Sequence, residues 1–395
     1  MPKAFLSTAA AEFLSRFLIW ARVLALGAFM PVDDYGFILV LLGIEGLLAA
    51  VVAYPSIKDV VVRQDISVSV FRHFSLLFCI IAFPVLCILL WVSGQSMAVA
   101  LTAIIAALLN GWGQIGLYMM RVSDLSTYNR TKLIWAFATT AVFMVALPMH
   151  WAFLPLVYGV GALPIMLGLV RYFREPSFAP AFVPIRGYHA RGWIIYSTQA
   201  LLTNFPQFGI RLFVASTMTL AHVAAYTQTY MVSTAVFFGF SAVMVVFEPR
   251  LSRAAPIKEI AARLPLMLKV SALFVVLTIL YAVFLSVVVQ SGLLTHVLGK
   301  DVTIDQQLLV PIMVFIALSG VFTVVNCLVL AGSGRAISLL STGLGSATLF
   351  LGLAISLPVP TLFGVGVAIA LSQGVALAIL VLFLTSRVAQ IDGAV

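Results

Sequence analysis

The chain has 395 residues, of which 63% are hydrophobic and 9% are charged, against about 25% charged residues in an ordinary soluble domain. This composition excludes a soluble globular protein and predicts an all-α polytopic membrane protein. The formal charge of +9 does not require a nucleic-acid partner, because membrane topology and anionic lipids account for basic loops in such a chain.

Apolar runs of about 20 residues, each long enough to cross the hydrocarbon core, recur between short polar breaks. We expect about twelve transmembrane helices, numbered here in chain order as spans 1 to 12. The predicted spans are 5–30, 36–54, 74–94, 97–120, 133–148, 152–170, 192–217, 222–247, 266–290, 308–331, 336–357 and 361–386.

The basic residues are distributed unevenly around these spans. Of the 22 Lys and Arg residues, 18 fall at the N-terminus or in and beside the loops that follow even-numbered spans. Lys300 falls on the opposite side, and Arg16, Arg22 and Arg211 fall within spans. Because positively charged loops are retained in the cytoplasm, both termini are predicted to be cytoplasmic.

A long break in the middle of the chain separates six spans from six. It predicts an N-terminal six-helix bundle (1–175), a cytoplasmic linker (176–191) and a C-terminal six-helix bundle (192–395). A two-fold axis along the membrane normal would relate the bundles as pseudo-symmetric halves around a central cavity. The weak internal repeat that supports this pairs Arg22, Tyr35, Pro55 and Arg63 with Arg211, Tyr226, Pro249 and Arg253.

Polar residues recur at helical spacing in spans 1 and 7. An ionised group at the bilayer centre costs about 2.5–3.5 kcal/mol, so a ligand or water must offset the arginines. Guanidinium groups bind phosphate bidentately, which favours an anionic ligand such as a pyrophosphate. Alternatively, Glu12 and Arg16 simply form an i,i+4 pair and the stripes hold helices together. The predicted cavity residues are Arg16, Arg22, Asn204, Gln207 and Arg211.

Glu12 and Glu45 are the acids well inside predicted spans. We expect one of them to couple transport to an ion or a proton, with Glu45 favoured because no arginine is near it in sequence. A hydrogen-bonded structural role for Glu45 stays open. No metal-ligand spacing or nucleotide-binding loop is found, so no metal, other cofactor or catalytic residue is predicted.

Four stretches, taken in order, carry a family resemblance. "PVDDYGFILVLLGIEGLLAAVVAYPSIKDVVVR" (31–63) resembles the early region of bacterial polysaccharide flippases of the multidrug/oligosaccharidyl-lipid/polysaccharide superfamily. The other similar stretches are "HVAAYTQTYMVSTAVFFGFSAVMVVFEPRLSR" (222–253), "VNCLVLAGSGRAISLLSTG" (325–343) and "LFGVGVAIALSQGVAL" (362–377).

The resemblance implies a flippase rather than an enzyme. Such proteins move undecaprenyl-pyrophosphate-linked oligosaccharide across the bacterial inner membrane by alternating access, in O-antigen or exopolysaccharide synthesis. Related lipid II flippases carry first-helix cavity arginines, which Arg16 and Arg22 resemble. The implied partners are the lipid-linked oligosaccharide, membrane lipids and, as an open question, a polysaccharide polymerase or chain-length regulator.

Two other functions stay open. A drug or small-molecule antiporter, from this superfamily or the major facilitator class, would share the span pattern, but arginines outnumber acids in the spans. A membrane glycosyltransferase would use Asp33 and Asp34 to hold a metal and activate an acceptor. The outer loop there is about six residues long, so we expect those acids to cap the second helix instead.

Overall fold

The computed structural model describes residues 2–44, 46–47, 105–106, 109–110, 113, 116–117, 120, 124–146, 198–251, 257–293, 304–332 and 334–392. These residues form helices and connecting turns with no strand among them, which confirms the predicted all-α class. The chain divides into two compact units, unit 1 (Met1–Ala215) and unit 2 (Ser216–Val395). Predicted spans 3 and 6 and the linker 176–191 lie outside the described residues. The number of spans and the division into six-helix bundles therefore stay predictions.

Among the described residues, unit 1 includes three longer helices and most of a fourth. They are α1 (Pro2–Phe29), α2 (32–44), α3 (Leu125–Ala146) and α4 (198–217, with a π turn at Phe205–Gly209), whose last two residues belong to unit 2. Met30 and Pro31 separate α1 from α2, and the Tyr35 hydroxyl donates to the Val23 carbonyl at 2.9 Å. This buried contact joins the two helices just beyond their turn.

In the part of unit 2 that the structure describes there are six helices, and four of them include a segment long and apolar enough to cross a membrane, judged by length and composition. The helices are α5 (Leu220–Ser233), α6 (Val236–Leu251), α7 (Ile257–Gln290), α8 (Gln306–Ala331), α9 (Arg335–Ser356) and α10 (Leu362–Asp392). The apolar segments are Glu259–Gln290, Gln306–Ala331, Ala336–Ser356 and Leu362–Arg387. Predicted spans 9 to 12 are confirmed as helices, and the chain is a multi-pass membrane protein.

Local signals in the sequence fix both ends of α8. Asp305 is its N-cap, and its carboxylate accepts from the backbone N–H groups of Gln307 and Leu308 at 2.9 and 3.0 Å. These bonds satisfy donors that a helix start leaves without an intrahelical partner. At the other end, the Gly332 N–H donates to the Leu328 carbonyl at 3.1 Å. The helix therefore begins and ends within two residues of predicted span 10.

Contacts within unit 2 give the relative directions of its helices. The ring centroids of Phe240 and Phe274 lie 4.0 Å apart, and Arg263 donates to the Leu251 carbonyl, so α6 and α7 are antiparallel. Glycine contacts show that α7 and α8, and likewise α9 and α10, are antiparallel, whereas α8 and α10 are parallel. Contacting helices that follow one another in the chain run in opposite directions, and the helices of predicted spans 10 and 12 run in the same direction. A chain that crosses the membrane repeatedly requires this pattern.

Several helices differ from their predicted bounds, and α7 begins at Ile257, nine residues before the predicted start of span 9 at 266. Predicted span 8 is interrupted at Thr234 and Ala235, where the Thr234 hydroxyl donates to the Met231 carbonyl at 2.9 Å. Such side-chain bonds compete with the helical backbone. α3 begins at Leu125, eight residues before the predicted start at 133, so Lys132 lies in a helix and not in a connecting loop. The Asp124 carboxylate starts it by accepting from the Ser126 and Thr127 N–H groups.

Candidate functional site

A buried carboxylate joins α1 to α3 in unit 1. The Glu12 residue is 3% exposed, and its Oε1 accepts from Lys132 Nζ at 2.5 Å and from the Tyr128 hydroxyl. Its Oε2 lies 3.4 Å from Arg16 Nε, one helical turn away on α1. Both carboxylate oxygens therefore have charged partners. The predicted i,i+4 pairing of Glu12 with Arg16 is confirmed.

A second polar contact lies one turn from the first. Asn129 Nδ2 donates to Thr8 Oγ1 at 2.8 Å, and both residues are buried. Since Thr8 precedes Glu12 on α1 as Asn129 precedes Lys132 on α3, the two helices are parallel. Spans 1 and 5 are both odd-numbered, so the predicted topology requires this direction. We call these five residues the α1–α3 seam: Thr8, Glu12, Tyr128, Asn129 and Lys132.

Arg211 lies against α2, also within unit 1. It is 5% exposed, its Nη1 donates to the Leu39 carbonyl at 3.3 Å, and its guanidinium lies 5.8 Å from the Phe208 ring centroid. A methyl group added at Gly43 would lie 2.9 Å from the Phe208 carbonyl oxygen and 3.2 Å from Arg211 Cδ. The glycine therefore gives α4 the room to bring its arginine close to α2.

The π turn lies just before Arg211. It spans Phe205–Gly209 and contains Pro206, which has no backbone N–H to donate. Gly209 packs against the Phe205 ring, and a methyl group there would lie 2.3 Å from the ring. π turns shift the register of a helix and are frequent at functional sites. The turn therefore determines the direction in which the Arg211 side chain leaves α4.

Arg22 is 3% exposed on α1. The next residue, Val23, accepts the hydroxyl of Tyr35 on α2. Tyr35 and Leu39 are one helical turn apart, and Leu39 is the residue that accepts from Arg211. The backbone beside Arg22 and the guanidinium of Arg211 thus contact the same short stretch of α2.

The other predicted site residues have different surroundings. Asn204 Nδ2 donates to the Ala200 carbonyl of its own helix at 2.8 Å, and Gln207 is exposed in the π turn. The Arg16 side chain is 46% exposed. Glu45 lies outside the described residues. Asp33 and Asp34 are exposed in the first turn of α2, where negative charge is favourable.

Sequence reasoning missed the α3 side of the seam. The sequence predicts that Lys132 lies beside a cytoplasmic loop, and it assigns no contact to Tyr128 or Asn129. An i,i+4 Tyr–Lys pair beside a polar Asn is a recognisable helix face, but its partner Glu12 is 120 residues away. Only the pairing of α1 with α3 joins these residues.

No family model matches the sequence, and no curated protein matches it. Solved structures do match over nearly the whole chain. A multidrug resistance MATE family transporter of the MOP superfamily is similar in its inward-facing conformation, with a TM-score of 0.65 and 13% identity over 98% of this chain and 99% of that one. A structure of a multidrug resistance MATE family transporter in the outward-facing conformation is also similar, with a TM-score of 0.68 and 11% identity over 99% of this chain and 96% of that one.

A third similar structure is a MOP superfamily transporter from Pyrococcus furiosus, whose binding pocket has reversed polarity that suggests a different function for that protein. Its TM-score is 0.67 at 11% identity, over 99% of this chain and 96% of that one. Identities this low establish shared architecture and leave the ligand open. The chain therefore has the polytopic all-α fold of these MOP superfamily transporters.

Proposed function

We propose that this chain is a flippase that moves an undecaprenyl-pyrophosphate-linked oligosaccharide across the bacterial inner membrane by alternating access. It does not alter the substrate covalently. The observation that carries the proposal is the burial of two arginines, Arg22 and Arg211, in the helices of unit 1 that pack on one stretch of α2.

Charge in unit 1 favours an anionic ligand. Among the described residues, Glu12 is the buried acid, and Lys132 and Arg16 already contact it. Arg22 and Arg211 add two further positive charges, which burial makes costly. A pyrophosphate group offers negative charge and several acceptor oxygens, which match the planar donor fork of guanidinium.

The lipid link follows from the cost of moving sugar through hydrocarbon. Hydroxyl groups transferred into an apolar medium without hydrogen bonds are strongly penalised. A prenyl tail that stays in the bilayer while the head group crosses a hydrated cavity avoids that penalty. The resemblance of four stretches to polysaccharide flippases supports the same substrate class.

Two findings support alternating access and the proposed orientation. The similar structures include an inward-facing and an outward-facing conformation of MATE family transporters, so this fold is found in both states. The distribution of basic residues between the loops favours cytoplasmic termini. We propose membrane lipids as surroundings, a polysaccharide polymerase or chain-length regulator as a partner, and no nucleic-acid partner.

A drug antiporter is the second candidate, favoured by the multidrug resistance transporters among the similar structures. An organic cation would require an acidic site, and Glu12 is already engaged by Lys132, Arg16 and Tyr128. The similar Pyrococcus furiosus transporter, with its reversed pocket polarity, is a precedent for a different charge preference in this fold.

Reconstitution into proteoliposomes separates the two candidates. A fluorescent prenyl-pyrophosphate-linked oligosaccharide is placed in one leaflet, and its appearance in the other is measured by a membrane-impermeant quencher. We expect translocation above that of protein-free vesicles, and no accumulation of ethidium under a proton or sodium gradient. Ethidium transport without oligosaccharide translocation would replace this proposal with the antiporter.

A further inference from the structure

We propose that Lys132 is the resident counter-cation of Glu12, and that Glu12 is a structural charge and not the carboxylate that couples transport to an ion. The transport part of this proposal rests on the proposed function, whereas the structural part does not. Of the two acids predicted to couple transport to an ion or a proton, the proposal leaves Glu45.

The position that a coupling cation would take beside Glu12 is filled. Lys132 Nζ lies 2.5 Å from Oε1, which also accepts the Tyr128 hydroxyl, and Arg16 Nε lies 3.4 Å from Oε2. An exchangeable cation would have to displace an ammonium group that is covalently tethered to α3. A tethered ammonium group that already neutralises Glu12 competes with any exchangeable cation, so we expect Glu12 not to load and release an ion in each cycle.

The lysine is also held by its own helix. Its Nζ donates to the Tyr128 hydroxyl at 3.0 Å, and it lies 5.3 Å from the Tyr128 ring centroid. Tyr128 and Lys132 are one turn apart on α3, so the helix holds both hydrogen-bond donors to Glu12 on the same face. The Lys132 side chain is 12% exposed, so little water reaches the ammonium group.

The neighbouring seam contact supports a structural role. Asn129 donates to Thr8 at 2.8 Å in the adjoining turn, so α1 and α3 are joined by two polar contacts along one line. Removing one partner of a buried ion pair leaves an uncompensated charge, which is strongly destabilising, whereas removing both partners together is often neutral. A coupling carboxylate has the opposite signature, because no second substitution restores its ion binding.

The experiment is a double-mutant cycle on the full-length protein with Glu12→Gln, Lys132→Met and the two combined. In detergent, we expect each single variant to lower Tm by about 5 °C or more and the double variant to recover at least half of that loss. In proteoliposomes, the double variant should transport within about twofold of wild type per folded molecule, with unchanged sodium and pH dependence. Arg130→Gln, on an exposed position of α3, is the matched control and should leave Tm unchanged.

Several results would overturn the proposal. They are single variants as stable as wild type, a stable double variant that does not transport, and a double variant whose sodium or pH dependence is lost. If the Gln/Met pair does not fold, Glu12→Gln with Lys132→Gln replaces it, since two amides can hydrogen-bond. Failure of both pairs to fold would also contradict a removable ion pair. The Tm cycle needs no substrate, so it tests the ion pair even if wild type fails to move the oligosaccharide.

Discussion

The described parts of unit 1 and unit 2 bury different kinds of polar side chain. Among the described residues, the buried charged side chains Glu12, Arg22 and Arg211 all lie in unit 1. The buried polar residues that the structure describes in unit 2 are uncharged, and most are Ser or Thr. Charge buried in a membrane protein usually marks a functional site, so under the proposed function we expect Arg22 and Arg211 of unit 1 to bind the head group.

Several hydroxyl groups of unit 2 donate to carbonyl groups of their own helix. Ser341 and Thr342 donate to the Ser338 carbonyl, and Ser346 donates to the Thr342 carbonyl, all within α9. Helices in unit 2 also approach closely at small residues, as α9 and α10 do at Gly345 and Ala376. Small residues and hydroxyl groups are a common means of packing membrane helices, and the described helices of unit 2 pack in this way.

The largest expected effect comes from the arginines of unit 1. Charge-assisted bonds contribute about 1.5–3 kcal/mol each, so Arg22→Gln and Arg211→Gln should each lower transport per molecule about tenfold or more. The measurement is glycan export divided by the amount of protein in the membrane. Normal export per molecule in both variants, with reduced abundance, would show that the arginines stabilise the protein and do not bind the substrate. The difference between the two units would then have no functional meaning.

Close packing in unit 2 gives the next largest effect. A methyl group at Gly345 would lie 2.7 Å from the Ser372 carbonyl oxygen and 2.9 Å from Ala376 Cβ, so Gly345→Ala should cost about 1–3 kcal/mol of stability. Gly343 lies on the same helix with no atom within 4 Å of an added methyl group. Gly343→Ala is the control and should stabilise by up to about 1 kcal/mol. Equal Tm values for the two variants would contradict the packing of α9 on α10.

The smallest expected effect comes from a buried hydroxyl of unit 2. Thr342→Val keeps the shape of the side chain and removes one bond to a carbonyl that is part of the helical backbone. We expect a loss of less than about 1 kcal/mol, measured as Tm in detergent. A loss as large as that of Glu12→Gln would mean that unit 2 also depends on specific buried polar groups.

The sequence predicts the ends of two helices in unit 2 better than it predicts the contacts between helices in unit 1, for a physical reason. Spans 10 and 11 are continuous apolar runs bounded by Asp305, Gly332 and Gly334, so their ends follow from local signals. In unit 1 the sequence predicts which residues are unusual, because Glu12, Arg22 and Arg211 are costly in a membrane. It does not predict that Lys132 is the partner of Glu12, because that contact depends on which distant helices pack together.

The central claim is that the arginines of unit 1 hold an anionic head group. The most direct test is the Kd of purified protein for a short-chain prenyl-pyrophosphate oligosaccharide, compared among wild type, Arg211→Gln, Arg211→Lys and the exposed control Arg130→Gln. We predict that Kd rises about tenfold or more in Arg211→Gln and less in Arg211→Lys, which keeps the charge but loses the bidentate fork, and is unchanged in Arg130→Gln. The same Kd in all four folded proteins would contradict the account.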